Sequence, residues 1–253
     1  MNITELTPIE KHNDIYVKRD DLYKIYNSQG GKARSAYQII SNAIQNGYNN
    51  FVTAGSRVSP QCEIVSDVCE GLNVHCHLFM PRGKDTSVLK HISQNKLSEL
   101  HRTKVGYNSV ICKWALDYAV ENDFYYVPFG MECKENIEVT QHQVANIPKE
   151  VKRIVVPVGS GMSLISICNG LELYEMYDIE VLGVSVGKDV KKNIQKYLNA
   201  PHVKYKIVKS DLEYHKEAKD YIIGNLELDK IYEAKCLPYL KANDCLWVVG
   251  KRQ

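Results

Sequence analysis

The chain has 253 residues, of which 44% are hydrophobic and 25% charged, with a formal net charge of +2. That balance excludes a disordered chain and is enough for one large core or two smaller lobes. Residues 1–11 lack the apolar segment of a secretory leader and no apolar run reaches bilayer length, so a cytoplasmic protein with no membrane attachment is expected.

In chain order, a strand is predicted over residues 14–18, leading into Tyr16-Val17-Lys18-Arg19-Asp20-Asp21-Leu22. Next, Gly30-Gly31-Lys32-Ala33-Arg34 opens a helix over 31–46, because Ala36, Ile39, Ile40, Ala43 and Ile44 recur at helical spacing and Gly47 ends the pattern. Lys32 sits near the amino end of that helix. The helix dipole and any burial both favour its neutral amine, the form that makes Schiff bases. Taken alone, Gly-Gly-Lys is usually a turn followed by a solvated lysine.

A strand over 50–54 is followed by the loop Gly55-Ser56-Arg57-Val58-Ser59-Pro60-Gln61 and a helix over 61–70. Ser59 is placed to shuttle a proton or hold a carboxylate, although Ser-Pro is also an ordinary helix entry, with serine as cap and proline first inside. Strands over 74–80 and 125–129 enclose a helix over 110–122, and a further helix covers 137–145. The strand at 153–158 runs straight into Gly159-Ser160-Gly161-Met162-Ser163 and a helix over 162–176. Glycines there let the backbone wrap an anion at a helix amino end, which suits a phosphate, and the same pattern serves as a tight turn. A strand at 180–186, a helix at 189–198, a helix opening at 228–235 and a strand at 246–249 complete the chain. Strands apolar on both faces alternating with helices predict an α/β fold: two lobes of mostly parallel sheet flanked by helices, with ligands beyond the strand carboxyl ends.

The eight cysteines lie far apart with no Cys-x-x-Cys pair, so they read as buried thiols in a reducing compartment and no metal site is expected. Interspersed charges neither demand nor exclude a nucleic-acid partner. Tyrosine (17) outnumbers phenylalanine (4), as an AT-rich coding source would give; tyrosines stacking on bases would be the alternative and would have to cluster on one surface.

Taken in order, the segments at 16–22, 30–34, 55–61, Tyr126-Val127-Pro128-Phe129-Gly130, 159–163 and 229–235 resemble the tryptophan synthase β-like (fold type II) superfamily of pyridoxal-phosphate enzymes. Within it, the resemblance is greatest to 1-aminocyclopropane-1-carboxylate deaminase and D-cysteine desulfhydrase, and it runs from about residue 7 to the end. It implies a larger cofactor-binding lobe (1–30 and 131–253), a smaller lobe (31–130), and pyridoxal 5'-phosphate in the cleft between them. Lys32 would be the Schiff-base lysine, and the amides of Gly159, Ser160, Gly161, Met162 and Ser163 would hold the cofactor phosphate. Ser59 and Gln61 would face the substrate carboxylate, Tyr232 would lie near the substrate, and Glu233 would stand beside the pyridine nitrogen. A carboxylate there keeps the ring protonated and strengthens it as an electron sink.

Two departures stand out. Pro60 occupies the place of a family asparagine that contacts the ring hydroxyl, and it has no side-chain donor. The ending Val248-Val249-Gly250-Lys251-Arg252 lacks the family's His-Thr-Gly-Gly pattern. The resemblance therefore implies a lyase or deaminase acting at the α-carbon of a small amino-acid-like substrate, with a homodimer as the common assembly of relatives. Compact relatives in bacteriophage gene sets for hypermodified pyrimidines imply an alternative: a decarboxylase acting on an amino-acid-modified thymine in DNA, a reading that the basic pair Lys251-Arg252 also fits. A non-catalytic binding protein on the same scaffold is the third reading.

Overall fold

Strands that are apolar on both sides need helical cover on both sides, and this chain provides it by alternating the two. The structure, a computed structural model, describes residues 3–187 and 189–250; Lys251 and Arg252 lie outside the described residues. In chain order the strands of the two main sheets are β1 (Ile9–His12), β2 (Ile15–Arg19), β3 (Asn50–Ala54), β4 (His75–Pro81), β5 (Ser98–Thr103), β6 (Tyr125–Tyr126), β7 (Arg153–Val158), β8 (Glu180–Ser185), β9 (Tyr205–Lys209) and β10 (Asp244–Val248). The α-helices are α1 (Gly31–Gln45), α2 (Pro60–Gly71), α3 (Ser87–Ile92), α4 (Asn108–Glu121), α5 (Lys134–Thr140), α6 (Met162–Leu173) and α7 (Lys191–Tyr197). Two units result: Met1–Tyr23 with Lys134–Gln253, and Lys24–Cys133.

The first unit carries a six-stranded sheet in the order β1-β2-β10-β7-β8-β9, parallel except for the β1–β2 hairpin. Its two faces bury separate cores. One gathers Ile154, Val156, Val158, Ile165, Cys245 and Trp247; the other gathers Val17, Val155, Val184, Leu228, Ala234 and Leu246. Alternate residues of β7 and β10 supply opposite faces, as strand geometry requires. The buried Lys18 ammonium is satisfied by the Thr7 carbonyl (2.9 Å) and Asn146 Oδ1 (2.7 Å).

At the start of the two central strands, Arg153 grips Asp244 through Nε–Oδ1 (3.1 Å) and Nη2–Oδ2 (2.5 Å), and it also donates to the Tyr239 carbonyl. The Asp244 side chain is 5% exposed. Removing it would strand a guanidinium in a largely dry place, so Asp244→Ala is expected to cost about 3 kcal/mol, read as a lower denaturant midpoint at unchanged m-value.

The second unit has a four-stranded, wholly parallel sheet in the order β5-β4-β3-β6. Helix α4 covers the face bearing Val52, Ala54 and Phe79 through Ile111, Ala115 and Ala119. The eight cysteines are free thiols, six of them buried.

Several local expectations are corrected. The segment at 228–235 was expected to open a helix; instead a 3₁₀ helix starts at Glu233 and runs to Tyr239 with Pro238 inside it. Asp229 Oδ1 accepts the amides of Ile231 (2.8 Å) and Tyr232 (3.0 Å), a local turn that competes with regular helix. The strand expected over 125–129 is only Tyr125–Tyr126, after which Pro128 leads into a 3₁₀ turn.

Candidate active site

In the second unit, Gly30 takes φ +95°, a conformation that favours glycine, and its carbonyl accepts the Ala33 amide to start α1. Lys32 is the second residue of the helix and is half-buried. Its neighbours Ala33, Arg34, Ser35 and Ala36 are buried, so the helix start is held by packing.

Ser59 stands at the N-cap of α2 with Pro60 first inside, yet its side chain makes no capping hydrogen bond. It is buried instead against Gly55, where an added Cβ would come 2.5 Å from the Ser59 oxygen. A bulkier residue at 55 would therefore expel this hydroxyl. Gln61 is 2% exposed and bound on every side: Nε2 donates to Thr53 Oγ1 (3.0 Å) and the Pro128 carbonyl (2.9 Å), while Oε1 accepts the Gly130 amide (2.7 Å). This amide braces the 128–130 turn against β3. The resemblance implies a side chain facing the substrate carboxylate; these hydrogen bonds fix its orientation.

In the first unit, β7 ends at Val158 and α6 begins at Met162, leaving Gly159, Ser160 and Gly161 as the turn. Gly161 is the N-cap at φ +87°, and a Cβ there would stand 3.1 Å from Val190. The first amides of α6, from Met162 and Ser163 onward, have no carbonyl one turn earlier to bond, so they are available to an anion. Asn193 on α7 donates to the Ser160 carbonyl at 2.8 Å, fixing the turn.

Tyr232 comes to this same turn, and Glu233 follows it in the chain. A Cβ on Gly159 would lie 3.2 Å from the Tyr232 ring, which shows how closely that ring covers the glycine, and the Tyr232 hydroxyl pairs with that of Tyr214 at 3.1 Å. Glu233 is 2% exposed; Oε1 accepts the Val249 amide at 3.0 Å, while Oε2 is buried with no hydrogen-bond partner. Burial, and secondarily the charge of Asp229, push its carboxyl up to about 8. A dry, half-satisfied carboxylate is costly unless a cation or donor completes it. A protonated pyridine nitrogen would be such a donor, and the glycine turn would suit a phosphate, so these residues fit pyridoxal phosphate.

Asn193, Tyr214 and Asp229 were not read from the sequence. Asn193 comes from another strand-helix unit, and its contact depends on tertiary packing. Tyr214 was one tyrosine among 17. Only Asp229, in an Asp-x-x-Tyr segment next to the assigned pair, carried a local cue of turn chemistry.

The chain is 23% identical to the O-seryl-dTMP PLP-dependent decarboxylase of Salmonella phage ViI, an alignment that covers 87% of this chain and 58% of the relative. The chain thus spans little more than half the length of that curated relative. Among solved structures it is similar to an ACC deaminase homologue (TM-score 0.84, 18% identity, 98% of this chain and 90% of the other). It is also similar to the processed form of threonine deaminase isoform 2 from Solanum lycopersicum (TM-score 0.71, 16% identity, 98% and 84%). A third similarity is to Escherichia coli diaminopropionate ammonia lyase in apo form (TM-score 0.72, 11% identity, 98% and 83%). At these identities the structural likeness establishes the fold. No helix among the described residues is long and apolar enough to cross a membrane. The pyridoxal-phosphate dependent enzyme family matches residues 2–227, and the chain belongs to that family.

Proposed function

We propose that this chain uses pyridoxal 5'-phosphate to break a bond at the α-carbon of an amino-acid-like substrate. The observation that carries the reading is the buried Oε2 of Glu233, without a hydrogen-bond partner, directly after Tyr232, whose ring covers a glycine turn able to bind phosphate. When bound, the cofactor supplies an electron sink for the pair left on the α-carbon.

The chain's own residues do the rest. The amides at 159–163 hold the phosphate, with Asn193 keeping the turn in shape. Glu233, ionised, holds a proton on the ring nitrogen and so favours carbanion chemistry. Lys32 supplies the amine that holds the aldehyde and then carries a proton to or from the α-carbon. Ser59 offers a hydroxyl to a substrate carboxylate or a moving proton, and Gln61 braces the loop beside it. Tyr232, steadied by Tyr214, supplies a second hydroxyl over Gly159.

A second reading assigns the broken bond. Similarity to a phage decarboxylase, together with Pro60 in place of the family's asparagine, favours loss of the α-carboxylate from an amino acid carried on a thymine nucleotide. Incubating the holoenzyme with D-cysteine, 1-aminocyclopropane-1-carboxylate and O-seryl-dTMP, free and within DNA, separates the readings. Carbon dioxide from the seryl nucleotide alone supports the decarboxylase; ammonia from either free amino acid supports the deaminase type. Inertness toward all three, with the cofactor bound, would leave a non-catalytic binder.

A further inference from the structure

Strands β4 and β5 pair in parallel with His77 opposite Glu99 and Phe79 opposite His101. Alternation then puts His77, Glu99 and His101 on one face of the sheet, the face that α4 covers. None of these residues belongs to the cofactor chemistry proposed above.

Their polar atoms converge. His77 Nδ1 and His101 Nε2 are 3.2 Å apart; His77 Nδ1 lies 3.4 Å from Glu99 Oε2, and His101 Nε2 lies 3.5 Å from Glu99 Oε1. A tetrahedral ion with bonds of 2.0–2.1 Å separates its ligand atoms by about 3.3–3.4 Å. The imidazole nitrogens stand close to that edge and each faces a different oxygen of Glu99, so a rotation of the exposed carboxylate brings one oxygen toward both and closes the set on an ion. A single shared proton satisfies the imidazole pair but leaves the carboxylate facing the same point.

The rings are also held in place. His101 stacks on Phe79 (4.5 Å, 8° between planes) and His77 on Phe124 (5.0 Å, 19°). Tyr118 of α4 tilts against both imidazoles at 5.4 and 4.9 Å, with its hydroxyl 3.5 Å from His77 Nδ1. Orientation of this kind lowers the ordering cost of ligation.

We propose that His77, Glu99 and His101 bind one divalent transition-metal ion of the zinc class, with the Tyr118 hydroxyl beside the fourth position. Two imidazoles and a carboxylate suit zinc or cobalt and are poor for magnesium or calcium. The ion would tie the edge strand β5 to β4, stabilising the margin of this sheet.

The test uses untagged, pyridoxal-phosphate-loaded protein, stripped of metal with a chelator, dialysed, and titrated with Zn²⁺ and with Co²⁺. The expected result is one equivalent of Zn²⁺ bound, a raised melting temperature, and an intense visible cobalt spectrum typical of four-coordination. Glu99→Gln should weaken binding roughly tenfold or more, and His101→Gln combined with it should abolish the stoichiometric site. The Glu99 side chain is 65% exposed, so that variant keeps the test valid if a histidine variant fails to fold. Binding no tighter than in the double variant, a six-coordinate cobalt spectrum, or cobalt–thiolate bands from the half-buried Cys112 or Cys133 would overturn the proposal.

Discussion

Lys32→Ala is expected to purify without the visible absorbance of lysine-held pyridoxal phosphate and to lose turnover by roughly a thousandfold or more. The side chain is the second residue of α1, next to a turn whose Gly30 adopts φ +95° and among buried neighbours, so truncation removes an amine without disturbing a core. The variant should still bind the cofactor, more weakly, because the amides at 159–163 and Glu233 are intact. Lys32→Arg should behave like Lys32→Ala, since a guanidinium keeps the charge but cannot attack an aldehyde at neutral pH. A visible band retained in both variants would remove Lys32 from the chemistry.

Glu233→Gln is the second large effect, and it appears in stability as well as rate. Burial raises the folded-state carboxyl from 4.5 to about 8, so between those values the folded apoprotein binds a proton that the unfolded chain has released. Apoprotein stability should therefore fall as pH rises from about 4.5 to about 8, by a total on the order of 5 kcal/mol. Glu233→Gln should flatten that profile, and loading wild-type protein with pyridoxal phosphate should reduce its slope, because Oε2 then has a cationic donor. Turnover of the variant should drop about a hundredfold, as the ring loses the carboxylate that keeps it protonated. Thermal melts of apo and holo protein across this range check both parts; parallel wild-type and Glu233→Gln profiles would contradict them.

The central strands were legible because they are apolar on both faces: Asn50–Ala54 and Arg153–Val158 appear at the residues expected. Edge strands were not. Ile-Glu-Lys-His at 9–12, Ser-Glu-Leu-His-Arg-Thr at 98–103 and Tyr-Lys-Ile-Val-Lys at 205–209 carry charges on an open side, and only pairing with a neighbour identifies them as strands. The same limit applies to the sites. The glycine turn at 159–161 is contiguous and could be read directly, whereas the Tyr232-Glu233 pair is unremarkable in itself and stands out only through the resemblance. That the two meet was implied by resemblance alone, because nothing local ties positions 159 and 232 together. His77, Glu99 and His101 were invisible, since their convergence depends on the register of a strand that polarity concealed.

Everything assigned to the cofactor depends on which lysine holds it. Borohydride reduction of the loaded protein makes that linkage permanent, and peptide mass mapping then locates it. The pyridoxyl group is expected on Lys32, within the peptide that carries Gln29-Gly30-Gly31. The group on any other lysine, or no covalent label on protein that binds the cofactor, would contradict it.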